Sequence, residues 1–453
     1  MHTDTLQRLK QRVKCTVTAP GDGEYDKQRT PWLEVVDQLP LAIVNAETLQ
    51  DIVETIRFVR ENALPLAVQN TGHGIALPCN SGILLRLSNM KAVTVGAKVR
   101  TATVEPGVQS GELIAKTEPF GLAYPAGQVS NVGVIGYTLG GGVGWLARKL
   151  GAACHAVQSA TLVLADGSVV TASATENTDL FWAIRGGGGN FGVVASLTVS
   201  LTPLRNVFGG MAYYHMKDAP EVLRFYRQWS VGLSENTSTV LRLMQLPPKP
   251  AYLLRLRAME TCAIGICHAD ESSAETLHEQ LKQFKAPAWD DLKVMPYADM
   301  SQLDQASNLN GSPTYGNLEC LKELSDSVID GLGEIVKQRF PPLIQVELQH
   351  LGGALNSENE AAAYTAPQAP FFLHLISPTI KASLDELSVA TREAYASLGP
   401  VFTGEVSYNF LRGDQQDRVP AAFGPEKYAR LQGIKKQYDP ANLFRLNMNI
   451  PPS

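Results

Sequence analysis

The chain has 453 residues, 44% hydrophobic and 18% charged, with 39 Lys+Arg against 44 Asp+Glu. The formal net charge of -5 argues against a basic surface for nucleic acid or an anionic membrane. Apolar material suffices for a large core, and no apolar run reaches the ~18 residues a membrane span needs.

Residues Met1–Leu6 show neither a basic nor an apolar leader pattern, and the cysteines at 15, 79, 154, 262, 267 and 320 are scattered. Only Cys262 and Cys267 lie close together, in a strand-like segment without metal-ligand neighbours. Both features favour a cytoplasmic location over a disulfide framework. Leu49, Ile52, Val53, Ile56 and Val59 share one helical face, which predicts a helix over 45–62 capped by Asn45. Strands are expected over 63–68, 83–87 and 99–104, and a short helix over 110–118. The block 121–151 holds too many glycines for a helix or a regular strand. Asp166-Gly167 predicts a hairpin between strands 160–164 and 168–171, and a further strand is expected over 191–201. Beyond about residue 210, strands at 211–215, 253–259, 345–350 and 371–376 alternate with helices at 219–233, 272–284, 320–338 and 384–398. That alternation predicts an α+β layer, one sheet with helices on a single face.

Three glycine-rich turns carry the chemistry. The first, Gln69-Asn70-Thr71-Gly72-His73-Gly74, follows a strand-like run and sets a histidine between two glycines. The second runs from Pro125-Ala126-Gly127 to Gly140-Gly141-Gly142, and the third from Arg185-Gly186 to Gly192-Val193-Val194. Successive backbone N–H groups in such turns form an anion cradle. None matches a dinucleotide fingerprint in its strand–turn–helix setting, nor a Walker phosphate loop. Together they point to a backbone wrapped around a large, partly anionic ligand.

These segments resemble, in order, those of the berberine-bridge-enzyme-like FAD-linked oxidases, of the vanillyl-alcohol-oxidase or PCMH type. The matching residues are Thr71-Gly72-His73, Pro125-Ala126-Gly127, Val132-Gly133-Val134, Leu139-Gly140-Gly141-Gly142, Asp179-Leu180-Phe181-Trp182 leading into Arg185–Val194, and Tyr438-Asp439-Pro440-Ala441-Asn442-Leu443-Phe444. The resemblance implies a bipartite FAD-binding domain, 1–205 (core about 36–205) plus 403–453. Between them it implies a substrate domain, 206–402, whose antiparallel sheet roofs the flavin. It further implies FAD joined covalently to His73, with contacts from Gln69, Asn70, Thr71, Gly72 and Gly74. The second turn would add Gly127, Val129, Val132, Gly133, Gly136, Tyr137, Thr138, Gly141 and Gly142, with His155 and Val157 just beyond it. Gly189, Asn190, Gly192, Val194, Asn447 and Asn449 complete the implied set.

Four departures from the family pattern matter. Val129 stands where many members carry a second, cysteinyl tether, so a single histidyl link is expected. Gln69 replaces a common arginine, Tyr137 a histidine and His155 an aspartate. Val132 matches the oxidases at the position that gates oxygen, so dioxygen is the expected acceptor.

Oxidation at carbon also needs a base for the proton of a hydroxyl, amine or phenol. The family often places a tyrosine two residues before a strand asparagine; here Asn409 is preceded at that spacing by Ser407. Alternation sets Glu405, Ser407 and Asn409 on one face of an expected strand, and Tyr408 on the other. Glu405 is the preferred base, and Tyr408 substitutes only if a bulge slips the register. Gln345, Glu347 and Gln349 share a face of another strand, His374 reads as a core residue, and Tyr315 and Asn317 as pocket or cap residues. No Gly-x-Ser-x-Gly elbow and no metal-ligand spacing occurs. The expected activity is oxidation of a C–H next to oxygen or nitrogen in a small alcohol, phenolic, amine or sugar, with hydrogen peroxide as co-product. A redox-neutral cyclase and a dehydrogenase with another acceptor stay open.

Overall fold

A computed structural model describes residues 3–245, 260–303, 314–337, 343–379 and 382–453. Its first sheet contains β1 (Thr16–Thr18), β2 (Ala42–Asn45), β3 (Leu66–Gln69) and β4 (Ile83–Arg86), in the order β1-β2-β4-β3. β2 and β3 both run parallel to β4. The predicted helix begins later than expected, spanning Leu49–Glu61. Thr48 caps it, accepting from the Asp51 amide while Asp51 accepts from the Thr48 backbone. Asn45 is not the cap, because it pairs with Thr16 and Arg86 inside the sheet. The apolar face of this helix, Ile52, Val53, Ile56 and Val59, is buried with Leu66, Ile83 and Leu85.

The second sheet takes β5 (Val93–Gly96), β6 (Thr101–Val104), β7 (Val157–Val163), β8 (Val169–Ser173) and β9 (Val193–Ser200), in the order β5-β6-β9-β7-β8. The Asp166-Gly167 hairpin forms as expected, with Gly167 at φ +79. The glycine block contradicts expectation by holding a short helix, Val134–Leu139. Gly133 and Gly140 lie at its two caps and only Gly136 is interior, so most of the glycine cost falls outside it.

The third sheet joins β10 (Asn206–His215), β11 (Thr237–Gln245), β12 (Glu260–His268), β13 (Trp289–Asp290), β14 (Lys293–Pro296), β15 (Thr314–Leu321), β16 (Gln345–His350) and β17 (Phe371–Pro378). Its order is β13-β10-β12-β11-β16-β17-β15, with β14 also beside β10. Helices Ala219–Val231, Ala274–Phe284, Asp326–Lys337 and Leu384–Ser397 share one core cluster with this sheet. The strand expected at 253–259 lies outside the described residues. The helix expected from Cys320 is corrected, since Cys320 sits inside β15 and the helix begins at Asp326. Ser325 interrupts the pattern there, its hydroxyl accepting from the Val328 amide at 3.4 Å.

The segment after residue 402 returns to the first two sheets. The strand expected across 404–411 is absent: Gly404 sits at φ +84 and Tyr408–Phe410 form a single 3-10 turn. Helix Pro425–Tyr438 then packs Leu431 and Ile434 into the core of the second sheet. At its end Lys435 and Asp439, both with fully buried side chains, pair at 2.6 Å. Lys435 also donates to the carbonyls of Asn190 and Phe444. All six cysteines are free, and among the described residues no helix is long and apolar enough to cross a membrane.

Candidate active site

A cavity of about 510 Å³ opens where the three parts meet. Its floor comes from the loop after β3. Gln69, at the end of that strand, is buried and accepts from Gln38 Nε2 at 3.0 Å, a neutral pairing in place of an ionic one. Gly72 turns the loop at φ +82, and a Cβ there would stand 2.5 Å from Pro31. That close approach brings Trp32 flat against His73, ring centroids 4.2 Å apart and 14° from parallel. His73 Nδ1 pairs with Thr71 Oγ1 at 2.9 Å, while Nε2 is buried without a partner. Burial, opposed by Asn131 and reinforced by the Arg412 guanidinium, pulls the His73 imidazole down to about 4. The ring is therefore neutral at physiological pH, with a lone pair for bonding.

Three strands supply the roof, and every second residue faces down: Thr314, Gly316 and Leu318 on β15, Gln345, Glu347 and Gln349 on β16, Phe372, His374 and Ile376 on β17. Glu347 accepts from Arg242 Nε at 2.7 Å and from Gln345 Nε2 at 3.0 Å. Arg242 reaches on to Gln128 Oε1 at 2.9 Å, which ties the roof to the turn carrying Val129. His374, expected as a core residue, lines the cavity with Nε2 unpartnered. Burial, then Arg412 and Arg242, pull it down to about 3. Arg412 reaches between roof and floor, donating to the carbonyl of Gly316 at 2.9 Å and, weakly, to that of His73 at 3.5 Å.

Most of the expected cofactor residues meet here. Gln69, Asn70, Thr71, Gly72, His73 and Gly74 line the cavity, as do Gly127, Val129, Val132, Gly133, Gly136 and Tyr137. Gly189, Gly192, Val194 and Asn447 close the far side. The remainder stand behind this lining. Thr138 bonds the Val134 carbonyl and the Tyr124 hydroxyl, and Gly141 and Gly142 occupy positive-φ positions packed against Tyr364 and Tyr137. His155 stacks edgewise on Tyr364, and Val157 opens β7. Asn190 is a structural hub, donating to Gly187, Tyr408 and Met448 and accepting from the Ile450 amide. Asn449 takes the Gln416 amide oxygen through its backbone.

The expected catalytic face is corrected, because no strand exists to build it. Glu405 lies off the cavity, bonded to the Gln368 amide at 3.0 Å, and Ser407 is buried behind the lining. Tyr408 reaches the lining, but its hydroxyl donates to Met448 O at 2.6 Å and accepts from Asn190, while burial pushes its phenol up. Asn409 does line the cavity, its side chain donating to the Tyr137 carbonyl at 2.8 Å. Glu347 is the one carboxylate on the cavity lining among the described residues. Sequence periodicity sets it on one face of its strand with Gln345 and Gln349 without singling it out. A signal for its partner existed: Arg242 interrupts the apolar run Val240-Leu241-Arg242-Leu243-Met244 and pairs opposite Glu347 in register.

Residues of this kind fit FAD. A Cβ added at Gly74, Gly136 or Gly189 would meet open space, so three lining glycines leave room against the backbone for a bulky group. Asn70 Nδ2 and Asn447 Oδ1 are buried and unpartnered beside the same space. The family described as "FAD binding domain" matches residues 40–173, and that described as "Berberine and berberine like" matches 408–451. The FAD-linked oxidoreductase pgmH of Aspergillus terreus is 33% identical over 496 residues, spanning 100% of this chain and 97% of that protein. (R)-6-hydroxynicotine oxidase of Paenarthrobacter nicotinovorans is 27% identical, covering 97% of each chain. A crystal structure of 6-hydroxy-D-nicotine oxidase from Arthrobacter nicotinovorans superposes with TM-score 0.86 at 24% identity, over 97% of this chain and 98% of that one. The fold is thus the bipartite, PCMH-type α+β fold of flavin enzymes. The chain belongs to the berberine-bridge-enzyme-like family of FAD-linked oxidoreductases.

Four histidines largely withdrawn from water, His350 buried and His73, His155 and His374 partly so, are expected to give the protein a pH dependence. Burial holds His73 and His155 down to about 4, and His350 and His374 down to about 3, against an ordinary 6.5. Above 6.5 neither the folded nor the unfolded chain protonates them, so their neutral burial is free of cost. As pH falls from 6.5 towards 4, the unfolded chain takes up protons that the folded one refuses, and stability drops. The thermal midpoint is expected to fall across that window, and His350→Gln to flatten the slope. An identical slope in the variant would refute the assignment.

Proposed function

We propose that this enzyme is an FAD oxidase with a single covalent link through His73, acting on a small organic substrate held beneath the third sheet. Glu347 carries the reading, as a carboxylate presented to the cavity across from the Gly72-His73-Gly74 floor. Bound FAD would accept the hydride from a substrate C–H next to oxygen or nitrogen and pass the electrons to dioxygen, giving hydrogen peroxide. The protein's own part is positional and acid–base. Glu347 takes the proton from the substrate hydroxyl or amine, and Arg242 with Gln345 fixes the carboxylate where that proton arrives. The roof strands and the floor loop bound the space in which substrate would lie. Trp32 and Thr71 hold the neutral His73 ring in one plane, with Nε2 directed into the buried site as the nucleophile for the tether.

Yellow colour that stays with the acid-precipitated protein, with a flavin-sized adduct on the His73 peptide, is the expected result. Flavin released into the supernatant would remove the covalent link, and an adduct on any cysteine would refute a single tether. Anaerobic bleaching by substrate candidates then tests oxidation, since a redox-neutral cyclase turns over without bleaching. Val132 lines the same space, and Val132→Leu is expected to slow reoxidation of the reduced enzyme by oxygen. An unchanged oxygen rate would remove Val132 from that role.

A further inference from the structure

The described lining of the cavity carries two charged side chains, Glu347 and Arg412. Glu347 is matched by Arg242 at 2.7 Å. Among the described residues, the Arg412 guanidinium donates only to the carbonyl oxygens of Gly316 and His73. Asp414, two residues on, acts on it only through its charge and not through a contact, being held by the Ser388 hydroxyl and lying 3.9 Å from Arg392. A guanidinium presents five N–H donors in a planar fork, and two carbonyls leave much of that fork unused. Burial lowers the affinity of Arg412 for its proton, and Tyr315 and Asp414 oppose that shift only in part.

The anchor point locates the fork. Gly316 belongs to the roof, and a Cβ there would come 2.3 Å from His374 Nε2, so the glycine lets strand, imidazole and guanidinium converge. His374 Nε2 has no partner, and its ring meets Phe410 edge-on at 5.7 Å. A planar fork, an unpartnered imidazole nitrogen and an aromatic edge thus share one corner of the cavity.

We propose that Arg412 and His374 form a subsite for a carboxylate of the substrate, so that the enzyme oxidises an organic acid at a carbon presented to Glu347. The assignment rests on the reading of this cavity as the substrate chamber. The cofactor diphosphate is the other anion within the same chemistry, and the roof anchor at Gly316 favours the substrate.

Calorimetric titration of the FAD-loaded protein with benzoate and with benzamide, planar probes of equal size and unequal charge, tests the proposal. Benzoate is expected to bind at least about tenfold tighter, as a charge-assisted fork contact requires. In Arg412→Gln the ratio falls to about one, and in Arg412→Lys part of it returns. Equal affinities in the unaltered protein overturn the proposal, as does an unchanged ratio in Arg412→Gln. An Arg412→Gln protein that sheds FAD on gel filtration, while its loaded fraction keeps the ratio, assigns the anion to the cofactor and also overturns it. Should Arg412→Gln fail to fold, the unaltered protein and Arg412→Lys decide alone. The heat of binding does not depend on oxidation, so a failure of substrate-driven bleaching would sink the oxidase reading and leave this result standing.

Discussion

Replacing Glu347 by glutamine is expected to slow substrate-driven flavin reduction by about 10²–10⁴-fold, the ordinary worth of a positioned general base. The substitution keeps the shape and one acceptor oxygen towards Arg242, so binding should change far less than rate. Glu347→Asp keeps the charge but withdraws it by one methylene, and an intermediate rate is expected. The pH profile supplies a second readout: the acidic limb due to the base should vanish in Glu347→Gln. Because Arg242 also ties Gln128 to this corner, flavin content must be measured alongside the rate. A rate within a few-fold of the unaltered enzyme, at equal flavin content, would place the proton acceptor elsewhere.

The largest loss of stability is expected from Lys435→Met. Lys435 and Asp439 are wholly withdrawn from water, and the ammonium also donates to the carbonyls of Asn190 at 2.7 Å and Phe444 at 3.2 Å. Removing one partner of such a pair typically costs about 3–5 kcal/mol, because the other charge stays buried without it. Two backbone amides, of Leu443 and Phe444, still reach the Asp439 carboxylate, which draws the expected loss to the lower end of that range. The readout suited to a chain of this size is the half-life at a fixed temperature. Lys435→Met should shorten it severely, whereas Lys10→Met, on a solvent-facing helix, should not. Equal half-lives would show that the pair contributes nothing net.

Local chemistry made part of this structure legible from its residues. The Asp166-Gly167 hairpin, the His73 loop and the alternation of Gln345, Glu347 and Gln349 all follow from short-range rules, and the structure keeps them. The failures came where a local pattern had two readings. Cys320, Leu321, Leu324 and Val328 recur at helical spacing, yet the first two end a strand whose partner, β17, lies some fifty residues on. Glu405, Ser407 and Asn409 alternate as a strand would, but Gly404 at positive φ turns the chain and no neighbouring strand receives it. Trp32 and Arg412 were invisible for another reason. Neither belongs to a motif, and each matters only through a partner remote in sequence, His73 or Gly316.

The cavity also fixes an order of events during synthesis. His73 emerges early from the ribosome, whereas Phe444, Leu446, Asn447 and Met448, which line the same space, emerge on the order of tens of seconds later. Until those residues arrive, the Asn190 hub lacks its Met448 and Ile450 partners and Lys435 lacks Phe444. A nascent chain can thus display the histidine but cannot enclose a dinucleotide. Flavin capture is therefore expected late in biogenesis, and a message truncated before codon 440 is expected to yield a colourless protein.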